Sequence, residues 1–114
     1  DYYASSEVLS IIMETFTQNQ NLDGVYSDLA YVHPQTKQIK RYWKSSAFVP
    51  GSFARGWHPP HPSLFLKKQV YEKVGMFNTD MELGNDVEFI LRCFEIDSIR
   101  AQYLPGVSVM MRLG

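Results

Sequence analysis

The stretch GVYSDLAYVHPQTKQIKRYW, residues 24–43, changes the hydrophobic pattern of the chain from helical to strand-like. Gly24 opens it, and residues 25–32 are rich in β-branched and aromatic side chains. Residues 34–37 combine proline with polar side chains, which is typical of a turn, and residues 39–43 alternate again. This order predicts a strand, a turn and a second strand that pair as a β-hairpin.

Helical patterns lie on both sides of this hairpin. In residues 5–18 the apolar side chains share one face, and Ser5 or Ser6 is expected to cap the helix. The same spacing returns in residues 86–95. The two predicted apolar faces consist of Val8, Leu9, Ile12 and Phe16 in the first helix and Val87, Ile90, Leu91 and Phe94 in the second.

The remaining segments predict short elements and loops. Residues 45–62 hold four prolines and two glycines, so a long irregular loop is expected, and residues 76–84 predict a second loop. Residues 63–75 predict a short strand and a short helix that ends at a left-handed Gly75. The residues from 98 onward predict two strands separated by a turn at Pro105 and Gly106.

Composition limits the class of protein. With 114 residues and 45% hydrophobic side chains, one domain over residues 1–114 is expected. The formal net charge of −1, without a run of like charges, argues against nucleic acid as a partner. Cys93 is the only cysteine, which excludes an intrachain disulfide and favours a reducing, cytoplasmic setting. The chain begins without methionine, so we expect both ends to be cut from a longer protein.

Several polar residues have both a structural and a chemical interpretation. Asn85 suits a helix cap and Asp86 suits the helix dipole, but a carboxylate at a helix tip between two loops also suits a general base. His58 and His61 can bind a metal or form ordinary hydrogen bonds. Trp57 belongs to an aromatic group that can be core or can stack on sugars. Glu88 and Arg92 have the spacing of a helical ion pair.

Four segments in order resemble the acceptor-side, C-terminal half of a family 2 glycosyltransferase catalytic domain with the GT-A fold. The resemblance covers nearly the whole chain. Its segments read DYYASSEVL, GVYSDLAYVHPQTKQIKR, HPSLFLKKQVYEKVGMFNTDMELGNDVEFILRC and YLPGVSVMMRLG. It implies an α/β fold with a mixed sheet, a hairpin and three helices, from which the nucleotide-binding half of the domain is missing.

The resemblance also implies roles for individual residues. Asp86 matches the catalytic base of an inverting transferase, and Asn85 stands where the family often has Glu. Asp1 matches an acid that holds a divalent cation, Mg or Mn, on the donor diphosphate. Further substrate contacts are expected from five residues, with His61 and Ser63 on the acceptor side and Asp28 on the donor side. The five are Asp28, Trp57, His61, Ser63 and Arg92.

The expected partners follow from this family. They are a nucleotide-sugar donor and a glycan or lipid-linked acceptor. The full-length protein is expected in the cytoplasm, with peripheral attachment to the inner face of a membrane. Exposed sheet edges also suggest a homo-oligomer. The isolated chain is expected to be inactive. Two other classes stay open from the residues alone: a noncatalytic carbohydrate-binding module built on residues 42–57, and a protein-interaction module.

Overall fold

A computed structural model describes residues 2–75 and 85–112, without the side chains of Asn85 and Asp86. In this part of the chain a five-stranded mixed sheet has the order β1-β5-β2-β3, and β4 also pairs with β2. The predicted mixed sheet with a hairpin and three helices is therefore confirmed. The strands are β1 (Tyr2–Tyr3), β2 (Gly24–Val32), β3 (Ile39–Trp43), β4 (Phe65–Leu66) and β5 (Ala101–Arg112).

Strand β2 lies at the centre of the sheet. It pairs in parallel with β5 along its whole length and antiparallel with β4 at one end and β3 at the other. All of its residues except the partly exposed Tyr31 are buried. A strand with neighbours on both edges and cover on both faces needs apolar side chains or fully bonded polar ones. This requirement explains the apolar run of β2 and draws attention to its one charged residue, Asp28.

The predicted hairpin is confirmed by the pairing of Leu29 with Trp43 and Val32 with Ile39. Its connection is held by His33, whose Nδ1 accepts hydrogen bonds from the backbone N–H groups of Gln35 and Thr36 at 3.2 and 3.3 Å. The polar residues of the turn thus satisfy their own backbone groups locally.

The predicted turn at Pro105 and Gly106 is wrong. Strand β5 continues through both residues, and its register with β2 shifts on either side of Asp28. Proline has no N–H to give to the sheet, and Gly106 adopts a φ of 112° that other residues rarely take. The pair therefore forms a bulge within one strand instead of a reversal between two.

The described residues form three α-helices: α1 (Val8–Gln18), α2 (Lys68–Val74) and α3 (Asn85–Leu91). Buried residues of α2 and α3 share one apolar cluster with Tyr26 of β2. The predicted serine cap of the first helix is wrong, because Glu7 occupies the cap position in helical geometry without a side-chain hydrogen bond. Val8 and Ile12 are buried as predicted, but Leu9 is 47% exposed. Gly75 ends α2 with a positive φ of 98° but an extended ψ of −179°, so the predicted left-handed cap holds only for φ.

Helix α3 continues into a π-helical turn, Arg92–Ile96. Its buried face consists of Phe89, Ile90, Cys93 and Phe94, whereas Val87 is 40% exposed. The buried face of the helix is therefore rotated about the helix axis relative to the predicted one. Both Val87 and Phe89 suit a helical period, and only packing against the aromatic core selects one of them. The irregular segment at 45–62 is confirmed, apart from 3-10 turns at Ser52–Arg55 and His61–Ser63.

Candidate functional site

The 3-10 turn His61–Ser63 packs between β2 and α3. Ser63 is buried, with its Oγ 2.9 Å from the carbonyl oxygen of Ser27 and 2.7 Å from that of Pro60. The Ser63 Oγ also accepts a hydrogen bond from the Ser27 N–H at 3.2 Å. A hydroxyl group thus replaces a strand partner for β2 and fixes the turn, including His61, beside the helix that begins with Asn85 and Asp86.

The two histidines of this segment have different surroundings. His61 is exposed at the start of the turn. His58 is partly buried, with its ring edge-on to Trp43 at 5.1 Å between centroids and its Nδ1 3.1 Å from the Pro59 carbonyl oxygen. Within residues 2–75 and 85–112, no three His, Cys, Asp or Glu side chains cluster as a metal site would require.

Asp28 accepts three hydrogen bonds in the centre of the sheet. Its Oδ1 accepts from the Ser45 N–H at 2.6 Å and the Tyr103 hydroxyl at 2.7 Å, and its Oδ2 accepts from the Gly106 N–H at 2.9 Å. The residue is only 7% exposed. These bonds tie β2 to the bulge in β5 and to the segment after β3. They stabilise the negative charge of the carboxylate, and the predicted donor contact of Asp28 stays a prediction.

Trp57 lies in an aromatic cluster with Tyr26, Phe48, Phe53 and Phe94, at ring-centroid distances of 5.6 to 6.2 Å. Its Nε1 donates to the Ser46 Oγ at 3.1 Å. The hydroxyl of Tyr26 donates to the Ser46 carbonyl oxygen at 2.7 Å, and burial raises the pKa of Tyr26 to about 12. The ring of Trp57 is only partly exposed, so most of its surface packs against the core.

Arg92 forms the predicted ion pair, with its Nε 2.8 Å from the Glu88 Oε1. Its Nη1 also donates to the Val74 carbonyl oxygen at 2.9 Å, and its guanidinium lies 5.5 Å from the Phe89 ring centroid. Arg92 therefore joins the end of α2 to α3. Burial raises the pKa of the neighbouring Cys93 to about 11, which agrees with an inert core thiol.

Two predicted site residues lie outside this description. Asp1 is not among the described residues, and neither is the loop 76–84. The backbone of Asp86 belongs to the first turn of α3, but its side chain is outside the described part. The structure thus brings the turn His61–Ser63 next to α3. It leaves Trp57 in an aromatic cluster and Asp28 in a separate hydrogen-bonded cluster.

Sequence reasoning missed two residues that organise this region. Tyr103 bonds to Asp28 across a separation of 75 residues, for which no local pattern gives a signal. Glu95 accepts hydrogen bonds from the Gly51 N–H at 2.8 Å and the Phe53 N–H at 3.3 Å, which holds the 45–62 segment against the π-helical turn after α3. A charged residue directly after buried Phe94 was the one available signal for Glu95.

A cavity of about 150 Å³ lies between α1 and the sheet. Its walls are mainly apolar, and four serines also line it, namely Ser5, Ser27, Ser63 and Ser108. The hydroxyls of Ser27 and Ser108 bond to each other. It lies beside the turn that carries His61.

No protein-family model matches the chain, and no curated protein sequence matches it significantly. None of the helices in the described residues is long and apolar enough to cross a membrane.

Proposed function

We propose that this chain is the acceptor-side part of an inverting, nucleotide-sugar-dependent glycosyltransferase with a GT-A fold. The observation that carries the proposal is the packing of the turn His61–Ser63 beside α3. Two segments that the family resemblance assigns to one acceptor site, and that lie more than 20 positions apart in the sequence, are neighbours in the fold. The mixed sheet with its parallel β2–β5 pair supports the same proposal.

In this proposal Asp86 is the general base. It removes the proton of the acceptor hydroxyl as the hydroxyl oxygen attacks the anomeric carbon of the donor. The bond from that carbon to the diphosphate breaks on the opposite side, the diphosphate leaves with the electron pair, and the configuration inverts. A helix anchored by buried Phe89, Ile90 and Phe94 is a rigid support for one carboxylate. Exposed His61 is the expected contact for an acceptor hydroxyl.

The proposed divalent cation depends on Asp1, which lies outside the described residues. Asp28, the buried carboxylate of the sheet, already accepts three hydrogen bonds. We therefore assign no step of the reaction to a cation held by this part of the chain.

The decisive experiment is Asp86→Asn in the longer protein that we propose contains this chain. Transfer from a nucleotide sugar should fall by a factor of about 10³ or more, because the general base is lost. Donor binding should stay within twofold, because the substitution changes only the base. Asp97→Asn, at the end of the same helical segment, is the matched control and should keep full transfer. Full transfer by Asp86→Asn would overturn the assignment, as would turnover of a nucleotide sugar by the 114 residues alone.

The carbohydrate-binding alternative receives less support. Phe48, Phe53 and Trp57 pack on one another and on Phe94, so the aromatic group of the 45–62 segment is used mainly as core. Sugar binding by the isolated chain that survives Asp86→Asn and is lost in Trp57→Ala would favour that alternative.

A further inference from the structure

The cavity between α1 and the sheet reaches from the core to the surface. Among the residues that line it, Val8, Ile12 and Val25 are buried, whereas Ile11 of α1 and Gly106 of the β5 bulge are exposed. Ile11 is 51% exposed although its side chain is aliphatic. Solvent therefore reaches the cavity between α1 and the bulge of β5, and a small molecule can enter it without unfolding the chain.

The buried hydroxyls of this cavity form their hydrogen bonds with the protein itself. The Ser63 Oγ lies 2.7 and 2.9 Å from two backbone carbonyl oxygens and accepts the Ser27 N–H. The Ser27 Oγ donates to the Asp28 carbonyl oxygen at 3.1 Å and also bonds to the Ser108 hydroxyl. A buried water molecule needs about two to four polar partners, and these hydroxyls have few bonds left to offer. The cavity is therefore better suited to an apolar occupant than to water.

The protons of the serine hydroxyls leave one hydrogen-bonding position open. Each serine hydroxyl carries a single proton and can also accept hydrogen bonds. Because Ser27 gives its proton to the Asp28 carbonyl oxygen, the bond between the two serines uses the proton of Ser108. The Ser108 Oγ then keeps its lone pairs, and no group in the described part of the chain donates to it. An occupant of the cavity that carries one hydroxyl proton can therefore donate it to Ser108.

The volume and the walls of the cavity limit the size and the charge of an occupant. The volume is about 150 Å³. A cavity of about 150 Å³ with apolar walls can hold a benzene molecule. None of the described residues that line the cavity is charged, so an ionic group inside it would lose its hydration without gaining a partner. The occupant is therefore neutral and has about six or seven carbon atoms.

We propose that this cavity binds a small neutral molecule of the size of phenol, with an apolar body and one hydroxyl group. The apolar body packs against the aliphatic side chains of α1, β2 and β5, and the hydroxyl donates to the Ser108 Oγ. The proposal does not depend on the transferase assignment, because it uses neither Asp86 nor a nucleotide sugar.

The test is an NMR titration of the isotope-labelled 114-residue chain with phenol and with toluene, which has nearly the same size but no hydroxyl. Amide shifts report where each ligand binds, and the dispersion of the same spectra shows whether a variant is folded. Ser108→Ala removes the proposed acceptor. Val107→Phe and Ile11→Trp place larger rings at the cavity, at positions that are at least partly exposed. Val49→Phe adds a ring at an exposed position outside the cavity and is the matched control.

We expect both ligands to bind the wild-type chain with dissociation constants of about 1 mM and to shift the amides of Val25, Ser63 and Val107. In Ser108→Ala, phenol should bind about fivefold more weakly, because one hydrogen bond is lost, and toluene should bind within about twofold of wild type. The two ring variants at the cavity should weaken both ligands by a factor of about ten or more, because a ring fills the space that the ligand needs. The control should change neither affinity.

The proposal is overturned if neither ligand shifts these amides at about 10 mM, or if the folded ring variants at the cavity bind both ligands as tightly as the wild type. The contact with Ser108 is overturned if Ser108→Ala leaves the affinity for phenol unchanged, or if it weakens toluene as much as phenol.

Discussion

The hydroxyl of Tyr103 donates a 2.7 Å hydrogen bond to the Asp28 carboxylate, which joins the parallel strands β5 and β2. Asp28 also receives the N–H groups of Ser45 and Gly106, so one carboxylate connects β2, β5 and the segment after β3. A buried charge of this kind is stable only because each bond is present, and loss of any bond is costly.

Asp28→Asn should lower the free energy of unfolding by about 2–3 kcal/mol, since an amide nitrogen cannot accept the bonds that one carboxylate oxygen accepts. Urea unfolding followed by circular dichroism measures the change. Glu72→Gln, on the exposed side of α2, is the matched control and should shift the midpoint very little. Equal midpoints for the two variants would show that Asp28 does not hold the strands together.

Alkaline pH should destabilise the fold through its tyrosines. Burial raises the pKa of Tyr26 to about 12, and burial together with the bond to Asp28 and its charge raises the pKa of Tyr103 to about 12. Below pH 10 both phenols are protonated in the folded and unfolded states, so stability is unaffected. Between pH 10 and 12 the unfolded chain loses these protons first, and stability falls. The difference between the urea midpoints at pH 9 and pH 11 measures this fall in stability. The difference should be smaller in Tyr103→Phe. An equal difference in the wild type and in Tyr103→Phe would contradict the role of Tyr103.

Gly24→Ala should destabilise the pairing of β2 with β4. The added methyl carbon would lie 2.7 Å from the Leu66 Cδ2 and 3.2 Å from the Phe65 carbonyl oxygen. Such crowding costs about 1–3 kcal/mol. At Gly56 the methyl carbon meets no atom within 4 Å, and only its φ of 88° is unfavourable, so Gly56→Ala should cost about 1 kcal/mol. Thermal unfolding compares the two, and a smaller shift for Gly24→Ala would show that β4 moves aside freely.

Glu95→Gln should loosen the 45–62 segment. A carboxylate accepts the N–H groups of Gly51 and Phe53 on separate oxygens, whereas glutamine keeps one acceptor. We expect about 1 kcal/mol of destabilisation and faster tryptic cleavage after exposed Arg55. Glu14→Gln, on the exposed side of α1, should leave the cleavage rate at its wild-type value. If both variants are cleaved at the same rate, Glu95 does not hold the segment.

The sequence predicted what local pattern controls. The hairpin at β2 and β3 and the helical segments at α1 and α3 follow from periodicity over neighbouring residues. The bulge at Pro105 and Gly106 was mistaken for a turn, because its geometry depends on Asp28, far away in the chain. Val87 was preferred to Phe89 because both suit the helical period, and only packing against the core distinguishes them.

In the candidate site, too, local contacts were predictable from the sequence and contacts between distant residues were not. The Glu88–Arg92 pair follows from helical spacing and is present at 2.8 Å. The anchoring of Ser63 to Ser27 connects residues 36 positions apart and has no sequence signature. Buried hydroxyls and carboxylates of this kind read in a sequence as ordinary polar residues, so their partners become known only from the fold.

The parallel pairing of β2 with β5 affects how the chain reaches its native state. β2 and β3 meet through a short loop and can form within microseconds, like other hairpins. The partner on the other edge of β2 is about 75 residues away in the sequence. Closing that loop costs more entropy than closing the hairpin, so we expect β5 to dock after β3 and the central strand to be open to self-association until it does.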